Sequence, residues 1–482
     1  MRIPPKKLKI LIIASIFLIA IFSRIAHSLA KEFWYDEAFT GILIQQPWKE
    51  MIRMIRSDIH PPLYYILLKT WSTVFGYEAF ALRAFSIFAN IAHLGIFYIF
   101  IKKYFSDKKF ALIAAMLFAV NPFLIAYSAE ARMYTLFAFL YFCAFYFFTK
   151  SIHEKKNIYW IFFSILYALC LYTHYMAILG ILPFFIYAIF QKERLKNSIQ
   201  CIFSLFGIFF LYYPWLTTFF AHFNKDKNGL YWIPEANIQS FAKTFFVFFF
   251  GLKSGVSGIS QIQDYFFFSN NILSIFLIAL HIIAFVIFFS RIKKFALTSS
   301  FFIFSYIAVF AVFAISKLKS LHIYNDRYLI IFAPFAIIFL WRILYKNMNK
   351  KIFFSIISAY ILFLSFAKIP IQEKTYHGIA QYIISGDTQN SAIVITDANN
   401  FVIAKYYLGE KNEQRLKIFN KDNPSYDFAS WVVINNSERI LKENEIPQGS
   451  IILSSDKNFL SELSSPEKTK RFGDMYLTIF SP

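Results

Sequence analysis

Two adjacent carboxylates, Asp36 and Glu37, stand in the segment FWYDEAFT among Phe33, Trp34, Tyr35 and Phe39. Aromatic walls partly desolvate a carboxylate and suit it to general-base duty or to orienting a hydroxyl. A solvated acidic pair in a loop is the plainer alternative. About two dozen residues later, SDIHPPLYY sets Asp58, His60 and Tyr64 around Pro61 and Pro62. A proline pair fixes the backbone and aims the imidazole, a donor suited to phosphate, although a rigid turn with an incidental histidine accounts for the same residues. NPFLIAYSAEARMYTL holds Glu130, Arg132 and Tyr134, read as a capping ion pair or as part of a polar wall. NDRYLIIFAP presents Asp326, Arg327 and Tyr328. A guanidinium grips phosphate through two parallel bonds, and snorkelling to a membrane interface is the plainer use of Arg327. Arg83 and His174 have ordinary readings as an interfacial anchor and a hydrogen-bonded loop histidine.

The elements that position these residues are set by composition. The chain has 482 residues, of which 58% are hydrophobic and only 16% charged, with a mean hydropathy of +0.51. That balance excludes an ordinary soluble domain and predicts a membrane protein. Apolar runs long enough to cross about 30 Å of hydrocarbon as helices recur about eleven times, near 8–30, 80–101, 109–127, 131–149, 158–174, 176–190, 199–220, 271–290, 295–315, 328–345 and 352–368. The first keeps Arg24 and His27 near its far end and lacks a small-residue cleavage site, so it reads as a retained span. A shorter apolar stretch near 241–251 reads as interfacial or re-entrant. The cysteines Cys143, Cys170 and Cys201 lie in apolar runs and form no disulfide framework or metal cluster.

The formal net charge of +21 is unevenly divided. Links at 1–7, 102–109, 150–157, 191–198, 291–294 and 342–351, with Lys9, carry 21 basic residues against Asp107, Glu154 and Glu193, a net of +18. The opposite links up to Lys368 carry a net of +5. Lys and Arg concentrate in short cytoplasmic links, so the N-terminus is expected in the cytoplasm and the motif-bearing loops outside. Charge confined to such links points to the lipid bilayer rather than to nucleic acid.

The fold class expected is therefore an all-α polytopic membrane domain over 1–368, with a first outer loop at 31–79, followed by a small external α/β domain over 369–482. The latter balances 12 basic against 14 acidic residues. Strand-like runs occur at SAIVITD, WVVIN, SIILSS and MYLTIF, and NNFVIAKYYLG has helical spacing with a glycine stop. GEKNEQRLKIFNKDNPS reads as a loop.

WYDEAF after a transmembrane helix, then HPPLYY, then NPF and YSAEARMY, and finally DRYL with AP, in that order, resemble a known family. They are similar to the polytopic glycosyltransferases of the C-type fold, specifically the protein mannosyltransferase and aminoarabinose transferase superfamily, over roughly residues 1–345. The resemblance implies transfer of a sugar, with inversion, from a polyprenyl-phosphate donor to an acceptor at the outer face of the plasma (inner) membrane. It implies a catalytic Asp36 supported by Glu37, a donor phosphate held by Arg327 near His60, and a place in the active-site wall for Glu130, Arg132 and Tyr134. Beside it, Arg132 is expected to assist at the phosphate, and Asp58, Tyr64, Arg83, Glu130, Tyr134, His174 and Tyr328 are expected in the substrate pocket.

Elementary chemistry is compatible with that implication. Transfer from a lipid phosphate needs a carboxylate at the acceptor, cations at the departing phosphate and lateral access for a prenyl chain. No cofactor is expected. Carboxylates of this kind also bind divalent cations, but no ligand set in the sequence demands one. The acceptor is open among glycolipid, polysaccharide and protein. A lipid-linked sugar flippase or transporter is the first alternative, and its ionisable residues belong near the midplane on interrupted helices. A lipid-oligosaccharide ligase is the second. The external domain, which lies beyond every motif, is expected to assist acceptor or partner recognition.

Overall fold

The computed structural model describes residues 4–191, 193–225, 233–251, 271–291, 296–318, 321–366, 375–385, 391–396, 398–419, 439–440, 446–455, 460, 469–473 and 475–479. The chain divides into two compact units. One comprises 1–27, 83–223 and 230–368, and the other 28–82, 224–229 and 369–482. The segment 31–79, assigned above to the membrane domain, thus groups with the C-terminal segment.

The first unit is helical. Six helices are long and apolar enough to cross a membrane: Lys6–Leu29, Ala79–Tyr104, Tyr134–Glu154, Arg194–His222, Thr298–Leu318 and Tyr328–Asn347. A seventh span is obtained if Lys108–Val120 and Pro122–Ser128, bent by 55°, are taken together. The eleven expected spans are therefore not all met among the described residues. The expected runs at 158–174, 176–190 and 271–290 form shorter apolar helices, and 352–368 is covered by a 17-residue helix, Lys350–Phe366. Hydropathy counts apolar residues but does not see the turns that cut a run, such as the break between Gly180 and Leu182.

The break between α6 (Lys108–Val120) and α7 (Pro122–Ser128) has a local cause. Asn121 accepts from the Leu124 amide at 2.9 Å and Pro122 occupies the first turn of α7, which together start a new helix. The freed carbonyls at the end of α6 are taken by Arg24, fully buried on α1 (Pro5–Leu29), which donates to Ala119 O at 2.8 Å and Phe118 O at 3.4 Å. Its Nε donates to Asn90 at 2.7 Å. A second short helix, α13 (Ile238–Phe250), ends the same way: Phe248 O accepts from Asn121 and Phe249 O from Tyr360. Gly251 closes it at φ +73°, and a Cβ there would lie 2.7 Å from the Phe123 amide nitrogen. Only glycine meets both conditions.

The helix Ala333–Asn347 is buried on every side through Tyr345. A helix apolar all round belongs in an interior, and Phe335 accordingly packs on Phe145, Phe301 and Phe304 at 4.8–6.0 Å between ring centres. Its one interior charge, Arg342, lies over the rings of Phe105 and Phe110 and donates to Asp107 at 3.2 Å. Asp107 also caps α6.

The second unit contains a six-stranded sheet of order β3-β2-β1-β4-β6-β5, with β1 Ile393–Ile395, β2 Leu416–Phe419, β3 Arg439–Ile440, β4 Ile451–Ser454, β5 Lys470–Phe472 and β6 Met475–Ile479. The first four run parallel, and β6 and β5 complete it antiparallel. A parallel pair needs a long crossover, which the helix Ala398–Leu408 supplies between β1 and β2, stopping at Gly409 with φ +66°. The stretch expected to be a loop after Gly409 instead forms a helical turn and β2, because Leu416, Ile418 and Phe419 are buried despite their polar flanks. The strand expected at WVVIN lies outside the described residues. The segment 31–79 folds as α2 (Tyr35–Gln45), α3 (Trp48–Ser57) and α4 (Leu63–Phe75), separated by Pro47 and by Pro61–Pro62.

Candidate active site

The expected site residues fall into two groups, one per unit. Asp36, Glu37, Asp58, His60 and Tyr64 belong to the second unit. Arg83, Glu130, Arg132, Tyr134, His174, Arg327 and Tyr328 belong to the helical one.

Asp36 and Glu37 occupy the first turn of α2, where the positive end of the helix dipole favours an ionised carboxylate. Asp36 is partly exposed and Glu37 fully buried, which suits the first to meeting a substrate and the second to holding the helix. Lys69 on α4 donates to Ile44 O at 2.6 Å and Gln46 O at 2.8 Å, capping the opposite end of α2. Asp58 follows α3, and its carboxylate accepts from His60 Nδ1 at 2.9 Å. Asp58 is buried while His60 is partly exposed, so the carboxylate orients an accessible ring. Tyr64 is fully buried, with Tyr65 edge-on at 6.0 Å.

In the helical unit the link from α7 to α8 (Tyr134–Glu154) carries Glu130, Arg132 and Tyr134, all buried. Ser86 of α5 (Ala79–Tyr104) donates to Arg132 O at 3.4 Å, and Arg83 on the same helix is 1% exposed. Arg327 is 5% exposed. Burial of this degree is not snorkelling, which leaves the charged head in water. The Arg327 guanidinium carbon lies 5.7 Å from the centre of the Tyr134 ring and 5.6 Å from that of Tyr328. His174 lies 4.7 Å from Tyr328 and 6.0 Å from Tyr134, and stacks on Phe137. Ring faces hold a cation and fix its plane, so Arg327, Tyr134, His174 and Tyr328 form one cluster able to present a rigid positive fork to an anion. His174 itself accepts from the Met176 amide at 3.0 Å, so its loop-histidine reading also holds.

Beside it, Asp326 accepts from Thr244 at 2.7 Å, and Thr244 meets the Tyr324 hydroxyl at 2.9 Å. Burial pushes the Asp326 carboxyl above the ordinary range, against the Thr244 bond and the Lys243 charge. Arg24, Glu32 and Lys69 were missed as positioning groups by the sequence reading. For Arg24 the available signal was a charge inside an apolar run; nothing local distinguishes Glu32 or Lys69. Among the described residues no three His, Cys, Asp or Glu side chains gather as a metal site would require.

A family model described as dolichyl-phosphate-mannose-protein mannosyltransferase matches residues 59–217. The crystal structure of ArnT from Cupriavidus metallidurans bound to undecaprenyl phosphate is similar over 99% of this chain and 98% of that one, with a TM-score of 0.53 and 11% identity. The apo structure of the same protein matches over 98% and 97%, with a TM-score of 0.51 and 9% identity. The chain is a multi-pass membrane protein with the fold of ArnT. A search of curated proteins finds no match. The family match spans His60, Tyr64, Arg83, Glu130, Arg132, Tyr134 and His174, and leaves Asp36, Glu37, Arg327 and Tyr328 outside it.

Proposed function

We propose that this integral-membrane glycosyltransferase moves a sugar from a polyprenyl-phosphate donor to a glycolipid, polysaccharide or protein acceptor, with inversion, at the outer face of the plasma (inner) membrane. The observation that carries the reading is the mannosyltransferase-family match over 59–217 within a chain that has the C-type fold. The undecaprenyl phosphate bound to ArnT supports the choice of donor.

In this reading Asp36 orients the acceptor and takes its proton as the acceptor oxygen bonds to the sugar C1. The bond from C1 to the phosphate oxygen breaks on the opposite side, and polyprenyl phosphate leaves with the electron pair. Arg327, with His60 and Arg132, stabilises that leaving charge. Asp58 and Tyr64 in one unit and Arg83, Glu130, Tyr134, His174 and Tyr328 in the other are assigned to the substrate, and Glu37 holds the acidic helix. No cofactor or metal is assigned a step, and turnover is expected to persist in a strong chelator. The transporter alternative loses ground at the interrupted helices: the end carbonyls of α6 and α13 are already taken by Arg24, Asn121 and Tyr360, whereas transporter half-helices turn such ends to an ion.

The test is Asp36→Asn in the purified full chain. Undecaprenyl phosphate should bind as in the unaltered protein, while transfer of labelled sugar from a polyprenyl-phosphate donor falls by about 10²- to 10⁴-fold. Transfer at the original rate would remove Asp36 from the chemistry.

A further inference from the structure

Among the described residues, two helices of the C-terminal segment contact α2 and the residues just before it. Glu32, buried just before α2, accepts from the backbone amides of Tyr376 at 3.0 Å and His377 at 2.8 Å, and pairs with the His377 ring at 2.7 Å. It thereby caps the helix Thr375–Ser385. One residue later, the Phe33 amide donates to the Tyr407 hydroxyl at 2.7 Å, and the Phe33 ring stacks on Tyr406 at 4.8 Å. Tyr406 and Tyr407 lie on the crossover helix Ala398–Leu408 of the sheet. Tyr406 also donates to Tyr77 O at 2.9 Å and packs edge-on against Tyr407 at 5.1 Å.

The closest fit is at Gly41, in the middle of α2. A Cβ placed there would lie 2.5 Å from Tyr406 Cε2 and 2.8 Å from Cδ2. Gly41 is an ordinary helical residue with no positive φ to excuse it, and glycine inside a helix costs about 1 kcal/mol relative to alanine. The ring it admits is held by Phe33 on one side, by Tyr407 on another and at its hydroxyl by Tyr77, so it does not yield easily. A fixed ring seated on a helical glycine sets the distance between two helices.

We propose that Tyr406, on the crossover helix of the C-terminal domain, is a positioning residue for the acidic turn of α2, and that this domain serves the transfer step by holding Asp36 in place. The proposal rests on the catalytic reading of Asp36 given above. It adds a positioning duty to acceptor recognition, the role expected from sequence. Asp36 is five residues, about one and a half turns, from Gly41 on the same rigid helix. A shift of α2 by even a fraction of an ångström is passed to Asp36, and misplacement of about 1 Å costs on the order of 10²-fold in rate.

The experiment uses the full chain in lipid nanodiscs and four forms: Gly41→Ala, Tyr406→Leu, both together, and Tyr406→Phe. Hydrogen exchange of residues 35–45, undecaprenyl phosphate binding, and kcat and KM for a polyprenyl-phosphate sugar donor are read side by side. Gly41→Ala should lower kcat at least tenfold with KM for the donor and lipid-phosphate binding unchanged, and should speed exchange in α2. Tyr406→Leu in the same chain should restore both by making room for the new methyl group. Tyr406→Phe, which keeps the ring, should stay within about threefold of the unaltered protein. Unchanged exchange in α2 for Gly41→Ala, or failure of the double variant to recover, would overturn the proposal. Restored exchange with no sugar transfer by any form, the unaltered protein included, would keep the contact, remove its catalytic consequence and count against the transferase reading itself.

Discussion

Arg327 shows why a residue type is not interchangeable with its charge. Its guanidinium lies 5.7 and 5.6 Å from the ring centres of Tyr134 and Tyr328, over both, a setting that favours a flat, delocalised cation. Arg327→Lys preserves the charge and loses the fork. It should weaken undecaprenyl phosphate binding by roughly tenfold, the equivalent of one charge-assisted bond of about 1.5 kcal/mol; calorimetry in nanodiscs would show it, and unaltered affinity would take Arg327 out of the donor site. The neighbouring Asp326 makes a different prediction. Its carboxyl is raised above the ordinary value of 3.8 by burial, so the folded protein holds the proton more tightly than the unfolded chain. Its contribution to stability is whole below the ordinary value and is lost as pH rises through the elevated one. Asp326→Asn keeps an acceptor for Thr244 and has nothing to ionise. Thermal melts in detergent from acid to neutral pH should therefore decline less steeply for the variant, and equal slopes would contradict the assignment.

The acidic helix α2 carries the carboxylates proposed for the chemistry, and both of its ends are engaged. Lys69 Nζ meets the carbonyls of Ile44 and Gln46 and lies 5.2 Å from the Trp48 ring. A buried cation at a helix C-terminus satisfies orphan carbonyls and complements the dipole. Lys69→Met keeps the aliphatic stem and removes the donors. Hydrogen bonds to charged groups contribute about 1.5–3 kcal/mol, so this variant should melt earlier and exchange amide protons faster over 42–46, while the remaining helices keep their protection. An exchange pattern like that of the original would show that packing alone holds α2. The break between α6 and α7 follows the same logic, with Arg24 supplying the donors.

For the whole molecule, charge makes one claim and helix length another. A net of +18 on one set of links and +5 on the other predicts a cytoplasmic N-terminus. Among the described residues six or seven helices are long enough to span, whereas the charge division alternates over eleven apolar runs, an odd number that would leave the C-terminal domain outside. Arg471 is exposed on β5, so Arg471→Cys, in a chain whose own cysteines are replaced, should react with a membrane-impermeant maleimide in intact cells with a permeabilised outer barrier. Labelling only after the inner membrane is opened would reverse the topology.

Composition and motif order, taken alone, determined a membrane protein, a helical fold with a small α/β domain at its end, and a resemblance to one superfamily, because hydropathy and short ordered motifs are local properties of the chain. The strands at 393–395, 451–454 and 475–479 and the helix at 398–408 were legible for the same reason. Span number was not, because a cap such as Asn121 or a pause such as that after Gly180 interrupts a helix without lowering the apolar content around it. Strand β2 was hidden by polar neighbours and became a strand only where β1 and β3 offered it partners. Tertiary structure alone decided that Arg327, Tyr134, His174 and Tyr328 meet, since they lie up to 194 residues apart in sequence. It alone decided that residues 28–82 share a unit with 369–482: the tie between Glu32 and His377, and the seat of Tyr406 on Gly41, depend on surfaces that exist only once both segments have folded.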